Sequence, residues 1–286
     1  MQTARRRIWM CADDYGISPG VNAAIRELIL RGRINATSVM VAAPHFNRDE
    51  VAALDVLNSG EKRAAIGLHV TLTAPFKPIS ADFTPLRHGH FLPLNNVLRT
   101  AVARRLQPER LEIEIATQLR TFIDAFGRPP DFLDGHQHVQ LFPQVRDAFL
   151  KVASEGAPRA WVRQCGRARL VRRLHDRKAL TLDLLSLGFR GKAKRLGVTV
   201  NPAFAGTYAF KEKAKFDKIF PRFLSGLPDG GLIMCHPGFV DSDLVALDSL
   251  TTLREQEFAF FNSDAFPKVL ADHGMALVRA DFRDSA

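Results

Sequence analysis

The chain has 286 residues, 46% of them apolar, with 40 Lys+Arg against 30 Asp+Glu. That apolar share can fill a core and excludes a disordered chain; the length admits one large α/β unit or two smaller domains. Three scattered cysteines, Cys11, Cys165 and Cys235, are too few for a disulfide framework or a thiolate zinc site, so a reducing compartment is expected. No run of about 18 apolar residues is present to cross a bilayer. The basic start, Met1 to Arg7, leads into a short apolar run and two aspartates, which does not read as a signal peptide.

In chain order, Ile8–Ala12 reads as a short buried strand. Ser18-Pro19 reads as an N-cap followed by proline at the first helical position, opening a helix to about Leu30. Ser38–Ala43 is a second strand, Asn47–Leu57 a helix and Ala64–Leu72 a third strand. Pro108–Phe126 is a long amphipathic helix, with Leu111, Ile115, Leu119 and Phe122 at helical spacing. Asp131–Leu133, Ala160–Arg163, Gly231–Cys235 and Met275–Val278 are further strands; Pro143–Ala153 and Leu253–Leu270 are helices, the latter with a break near Pro267. Repeated strand–helix units imply a parallel sheet covered by helices. The expected class is α/β, a single-domain distorted (β/α) barrel over 1–286, with a doubly wound open sheet as second choice. Ala74–Arg105 and Arg167–Gly206 fit the pattern poorly and are read as loops or insertions.

Four apolar runs end in polar residues. They are Asp13-Asp14-Tyr15 after the first, His69 in Gly67-Leu68-His69, Asp134-Gly135-His136-Gln137-His138, and His236 in Cys235-His236-Pro237. Catalytic groups of parallel α/β folds sit at the carboxyl ends of strands. Singly, paired aspartates often cap a helix and a lone His is more often a satisfied core residue. Together at four strand ends they favour a site. In His136-Gln137-His138 an extended backbone would point both imidazoles to one face. One carboxylate and two imidazoles suit a divalent metal with open positions for water. A second carboxylate can then serve as general base and another His as acid. A metal-free carboxylate pair could serve glycoside hydrolysis, but leaves three histidine patches unexplained.

Charge is concentrated in one place. Arg159–Arg195 holds twelve Lys/Arg against Asp176 and Asp183, so 12 − 2 = +10 and the remainder balances. Such a patch suits an anionic surface or substrate, although a solvated Arg-rich insertion is equally compatible. Aromatics are not interleaved there, which argues against nucleic acid. Leucines 180, 182, 184, 185 and 187 lie between the basic clusters, so the segment either rests in a lipid headgroup layer or packs on the domain. Arg172, Arg173, Lys192, Lys194 and Arg195 are the membrane-contact candidates.

The motifs Ala12-Asp13-Asp14-Tyr15-Gly16, Gly67-Leu68-His69, Phe126-Gly127-Arg128-Pro129-Pro130, Leu133-Asp134-Gly135-His136-Gln137-His138-Val139 and Cys235-His236-Pro237-Gly238 resemble those of the YdjC-like carbohydrate deacetylases, which include chitooligosaccharide deacetylases and a branch associated with hopanoid biosynthesis. The resemblance covers about 8–150 and 230–280. It implies a distorted (β/α) barrel that removes the N-acetyl group of an amino sugar with one divalent cation, Zn2+ or Mg2+. It further implies Asp14, His69 and His136 as metal ligands, Asp13 as base and His236 as acid. Asp134 would orient a ligand imidazole; His138 and Tyr15 would touch substrate or support the shell. Tyr15 stands where the family usually has Phe. Asn201–Tyr208 looks like the hopanoid-associated branch. With the basic segment of about 159–206, this favours an N-acetylglucosaminyl hopanoid or similar glycolipid, in the cytoplasm with peripheral contact at the inner membrane face. A soluble chitooligosaccharide is the alternative substrate, and a non-enzymatic membrane-binding module the rival class.

Overall fold

The structure is a computed structural model that describes residues 5–59, 64–168, 177–210 and 214–278. Among the described residues eight strands run in parallel: β1 (Arg6–Tyr15), β2 (Ala36–Val39), β3 (Ala65–Val70), β4 (Phe132–Gly135), β5 (Trp161–Val162), β6 (Phe204–Ala205), β7 (Leu232–Cys235) and β8 (Met275–Leu277). The helices are α1 (Pro19–Leu30), α2 (Arg48–Asp55), α3 (Leu94–Val102), α4 (Pro108–Phe126), α5 (Val145–Gly156), α6 (Arg177–Arg195), α7 (Phe216–Leu224), α8 (Ser242–Leu247), α9 (Thr252–Asn262) and α10 (Ala265–Asp272).

The sheet order is β5-β4-β3-β2-β1-β7-β6, with β8 on β1. Residues 199–204 close most of the gap between its ends. Val162 N donates to Thr199 O (2.9 Å), Val162 and Val200 form a parallel bridge, and Phe204 N donates to Gly166 O (3.0 Å). The curled parallel sheet is therefore the distorted barrel expected from the strand–helix alternation, with chemistry available where the strands end.

Local rules explain the elements. Ser18 caps α1 by accepting from Val21 N, and Pro19 supplies the first turn. α4 spans the predicted residues because Pro108 opens it and Gly127, at φ 65°, ends it in the left-handed conformation. β2 stops at Val39, earlier than expected, since Met40 N turns to Tyr15 O (2.8 Å) and Ala43 N closes on Met40 O (3.1 Å). Within the stretch read as loop, 94–102 forms α3, burying Val97 and Ala101.

The first half of β1 pairs with β8 and its second half with β2. Asn35 fills the changeover. Its Oδ1 accepts from Met10 N (2.7 Å), and its Nδ2 donates to Ile8 O (3.1 Å) and Val278 O (2.6 Å). Buried main-chain groups that the switch of partner would orphan are thus paired.

α6 resolves the leucine question in both directions. Leu182 and Phe189 are buried against the barrel, Phe189 beside Phe149 of α5. Leu184 and Leu187 stand 69% and 48% exposed on the outer face. Lys194 and Arg195 are exposed, whereas Lys192 pairs with Asp147 of α5 (2.7 Å). Arg172 and Arg173 lie outside the described residues. Among those described, no helix is long and apolar enough to cross a membrane.

Candidate active site

The site begins with an irregularity in β1. Ala12 pairs with Thr37 and Tyr15 with Val39, so Asp13 and Asp14 oppose the single residue Ser38. Neighbours in a regular strand point to opposite faces. This bulge, with Asp14 at φ 71°, turns both carboxylates inward. Tyr15 then points away from the cluster. Its hydroxyl donates to Glu50 and accepts from Arg26 Nη1 (2.8 Å), within an Arg26–Glu50 ion pair. Tyr15, expected to touch substrate or support the shell, thus directs its hydroxyl to Arg26 and Glu50.

Asp14, His69 and His136 offer donor atoms that all lie within 4.8 Å of one another. Asp14 Oδ1 is 2.9 Å from His136 Nδ1 and 3.4 Å from His69 Nε2. The other His69 nitrogen, Nδ1, donates to Asp134 Oδ1 (2.6 Å), with Ser38 Oγ 3.0 Å away. That contact fixes the ring and leaves Nε2 facing Asp14, the arrangement usual behind a metal-bound imidazole. His136, with Phe76 edge-on at 5.6 Å, is 7% exposed against 1% for Asp14 and His69, so the cluster opens to solvent on its side.

Two buried arginines balance the acids. Arg163, just past β5, places Nη1 and Nη2 each 2.6 Å from Asp13, and Nη2 2.5 Å from Asp134. Arg254 of α9 bridges Asp14 Oδ2 and Asp248 at 2.6 Å each. Burial alone would raise the Asp13 carboxyl, but the Arg163 guanidinium overrides it and holds Asp13 at about 2. Asp14 is likewise held well below the ordinary carboxylate range, against its burial, by Arg254 and His136. For His69, burial opposes the charged form, yet Asp134 and Asp14 carry it up to about 10.

The donor set fits a divalent cation. Three buried carboxylates (Asp13, Asp14, Asp134) face two buried guanidiniums, so 2 − 3 = −1 remains when the imidazoles are neutral. A second cluster, Cys11, Asp13 and Asp134, has metal-like spacing. There, Arg163 Nη2 lies 2.9 Å from Cys11 Sγ and already bridges the carboxylates, while burial pushes the Cys11 thiol well up. It is an ion-pair network.

His236 follows β7, and Ala12 pairs with Cys235, so Asp13 and His236 each come one residue past the last paired rung of adjacent strands. Its Nδ1 is buried and has no hydrogen-bond partner among the described residues. Burial first, and Arg254 nearby, lower it to about 4, so the imidazole is neutral at rest. His138 lies apart from His136. Gln137 and His138 adopt φ 55° and 61° in a tight turn, in place of the expected extended backbone. The turn sends His138 toward Cys165 Sγ (3.5 Å) and the Phe204 ring.

Arg163, Arg254 and Glu257 were not singled out in the sequence. Arg163 ends an apolar run just as the four motifs do. Arg254 and Glu257 stand on the buried stripe of α9 with Leu253, Phe260 and Phe261, where an unpaired charge would be costly.

The profile of the YdjC-like protein family matches residues 7–272. A chitooligosaccharide deacetylase of Citrobacter koseri is 27% identical over 270 residues, spanning 93% of this chain and 94% of that protein. A crystal structure from Enterococcus faecalis, of a protein provisionally assigned to cellobiose-phosphate cleavage, superposes with a TM-score of 0.72 at 20% identity, covering 99% of this chain and 100% of the other. The lactam utilization protein of Thermus thermophilus gives a TM-score of 0.51 at 13% identity, over 96% and 100%. Both structures share the fold. With the profile spanning nearly its whole length, the chain belongs to the YdjC-like family.

Proposed function

We propose that this protein is a divalent-metal-dependent hydrolase that removes the N-acetyl group of an amino sugar. The observation that carries the reading is the convergence of Asp14, His69 and His136 within 4.8 Å at the carboxyl ends of the strands, flanked by Asp13 and His236. These three residues would hold the cation, which when bound polarises the acetamide carbonyl and acidifies water. Two imidazoles and a carboxylate suit zinc on ligand softness, with magnesium as the family alternative.

The chain's own residues then move one proton. Asp13 is ionised at every working pH, so the base form is always present. Held by Arg163, it is a weak base and takes the water proton only as the new C–O bond forms. His236 is neutral at rest and must gain a proton before acting as the expected acid. Its place one residue past the Ala12–Cys235 pair, as Asp13 is on the adjacent strand, suits transfer of that same proton. His236 delivers it to nitrogen as the C–N bond breaks and the electron pair stays on the amine. The carboxylic acid formed releases its own proton to solvent. Asp134 and Arg163 hold His69 and Asp13 in place.

For substrate, the outer face of α6 supports an N-acetylglucosaminyl hopanoid or a similar glycolipid. Leu184 and Leu187 are exposed in a strongly basic segment, as a peripheral contact with an anionic bilayer requires. The name of the Citrobacter koseri relative favours a second reading, a soluble chitooligosaccharide. Acetate release from di-N-acetylchitobiose and from an N-acetylglucosaminyl lipid, with the metal content of the same sample, tests the activity. No release and no stoichiometric metal would overturn it in favour of a binding module. Flotation with anionic vesicles decides the substrate class: failure to bind them removes the lipid reading.

A further inference from the structure

Glu257 is 1% exposed on α9, one turn beyond Arg254, and both of its oxygens are engaged. Oε2 accepts from the main-chain N–H of His236 (2.6 Å), and Oε1 accepts from the Tyr208 hydroxyl (2.7 Å). Tyr208 belongs to the segment after β6, which turns at Gly206. A Cβ there would come within 2.2 Å of Met234 O, two residues before His236, and φ is +111°, so only glycine lets the segment pass this close to β7. Beyond the turn, the Tyr208 ring packs on Phe210 (centroids 4.2 Å apart) and is backed by Phe216 (5.8 Å) and Phe223 (6.3 Å). Phe210 in turn stands edge-on to the His236 imidazole at 5.7 Å and 80°. One buried carboxylate thus ties the backbone of His236 to the segment that presents a half-buried aromatic ring beside it.

We infer that Glu257 and Tyr208 form a latch holding residues 206–210 against His236, and that the latched Phe210 is the aromatic wall on which the sugar ring of the substrate rests. The inference depends on the N-deacetylase reading above. Its chemistry is that of carbohydrate recognition: a flat apolar face beside convergent polar groups fits the C–H face of a pyranose. Phe210 is a specificity-determining residue on this view; Glu257 and Tyr208 are positioning residues that act through it and through the His236 backbone.

The test is steady-state kinetics on di-N-acetylchitobiose with the metal-loaded enzyme, alongside amide hydrogen exchange across 206–210. Phe210→Ala is expected to raise KM roughly tenfold with kcat within about threefold, and Phe210→Trp to restore KM. Tyr208→Phe keeps the ring but loses the hydroxyl. It is expected to raise KM about fivefold and to speed exchange at 206–210. Glu257→Gln keeps an oxygen for His236 N–H and an amide that can donate to the Tyr208 oxygen, so it should fall nearer wild type than Glu257→Ala. Metal content should stay at the wild-type level in the Phe210 and Tyr208 variants. An unchanged KM in both Phe210→Ala and Tyr208→Phe, in an enzyme that releases acetate, overturns the latch and leaves the deacetylase reading standing. If wild type releases no acetate, the deacetylase reading is the one that fails, and exchange in Tyr208→Phe still shows whether the latch exists.

Discussion

The two ends of the barrel use buried polar groups differently. At the amino end of the strands, Asn35 sits in the changeover of β1 from β8 to β2, and its side-chain oxygen and nitrogen meet three main-chain groups. At the carboxyl end, Asp13, Asp14, Asp134, His69, Arg163 and Arg254 are all buried together. There, Arg163 Nε, Arg254 Nη1 and His236 Nδ1 lack hydrogen-bond partners among the described residues. Fully satisfied polar groups hold a fold in place, whereas concentrated charge with atoms left over is costly to bury and is retained where chemistry needs it. The strand sequence supplies both ends; the direction of the strands decides which end does the chemistry.

The sharpest way to break that contrast is Asp13→Asn. The amide keeps the shape and cannot accept the proton, so turnover should fall by roughly 10²–10⁴ while the metal content holds. Acetate release per metal-loaded molecule measures it. A drop of less than tenfold would remove Asp13 from the base role and reduce its pairing with Arg163 to a structural one.

Asp134→Asn comes next. His69 would keep a neighbour but lose the carboxylate that fixes its tautomer. The metal dissociation constant should rise by about 10–100-fold, read by competition with a chromogenic chelator. An unchanged affinity would show that His69 does not ligate through Nε2.

pH gives a third handle. Without metal, His69 titrates at about 10, above its ordinary value near 6.5, so it is an imidazolium throughout the neutral range. Ligation requires the neutral ring, so binding expels one proton. Apparent affinity should therefore climb by about tenfold per pH unit from 7 to 9 and level off near 10. The stability of the metal-free protein should run the other way. A raised folded-state pKa stabilises fully below the unfolded value, and that contribution fades as pH rises from about 6.5 toward 10. Isothermal titration in buffers of differing ionisation enthalpy counts the proton. A flat affinity would exclude His69 as a ligand.

Much of this geometry was legible in the sequence, unevenly. α1 and α4 could be read almost to the residue, because Ser18, Pro19, Pro108 and Gly127 act locally. The strand-end rule found Asp13, Asp14, His69, His136 and His236. It missed Arg163, which closes the strand read at Ala160–Arg163, because only Asp and His were weighed at strand ends. α7 went unread because Pro221 sits inside it, and its apolar face is sealed by Phe260, Phe261 and Phe266 from distant sequence. Neither the bulge at Asp13-Asp14 nor the tight turn at Gln137-His138 has a local marker. Each is a non-glycine residue held at positive φ by contacts from other strands. That is why the face on which Tyr15 emerges had no sequence signal, and why the extended backbone expected at His136-Gln137-His138 is a turn instead.

The smallest expected effect on rate belongs to the amino end. Asn35→Ala removes the acceptor for Met10 N and the donor to Ile8 O and Val278 O. Ile8 O still accepts from Val278 N (3.1 Å), so Met10 N and Val278 O bear most of the loss. A buried group left unsatisfied costs about 1–3 kcal/mol, and the thermal midpoint should drop by several degrees. The rungs that carry the site, Ala12 against Thr37 and Cys235, lie further along β1 than Met10 and keep their own ladder bonds. The folded fraction should therefore turn over at the wild-type rate with the wild-type metal content. Thermal melts and kinetics normalised to bound metal separate the two quantities. If the rate falls with the midpoint, the barrel transmits strain along β1 and the division of labour between its ends is lost.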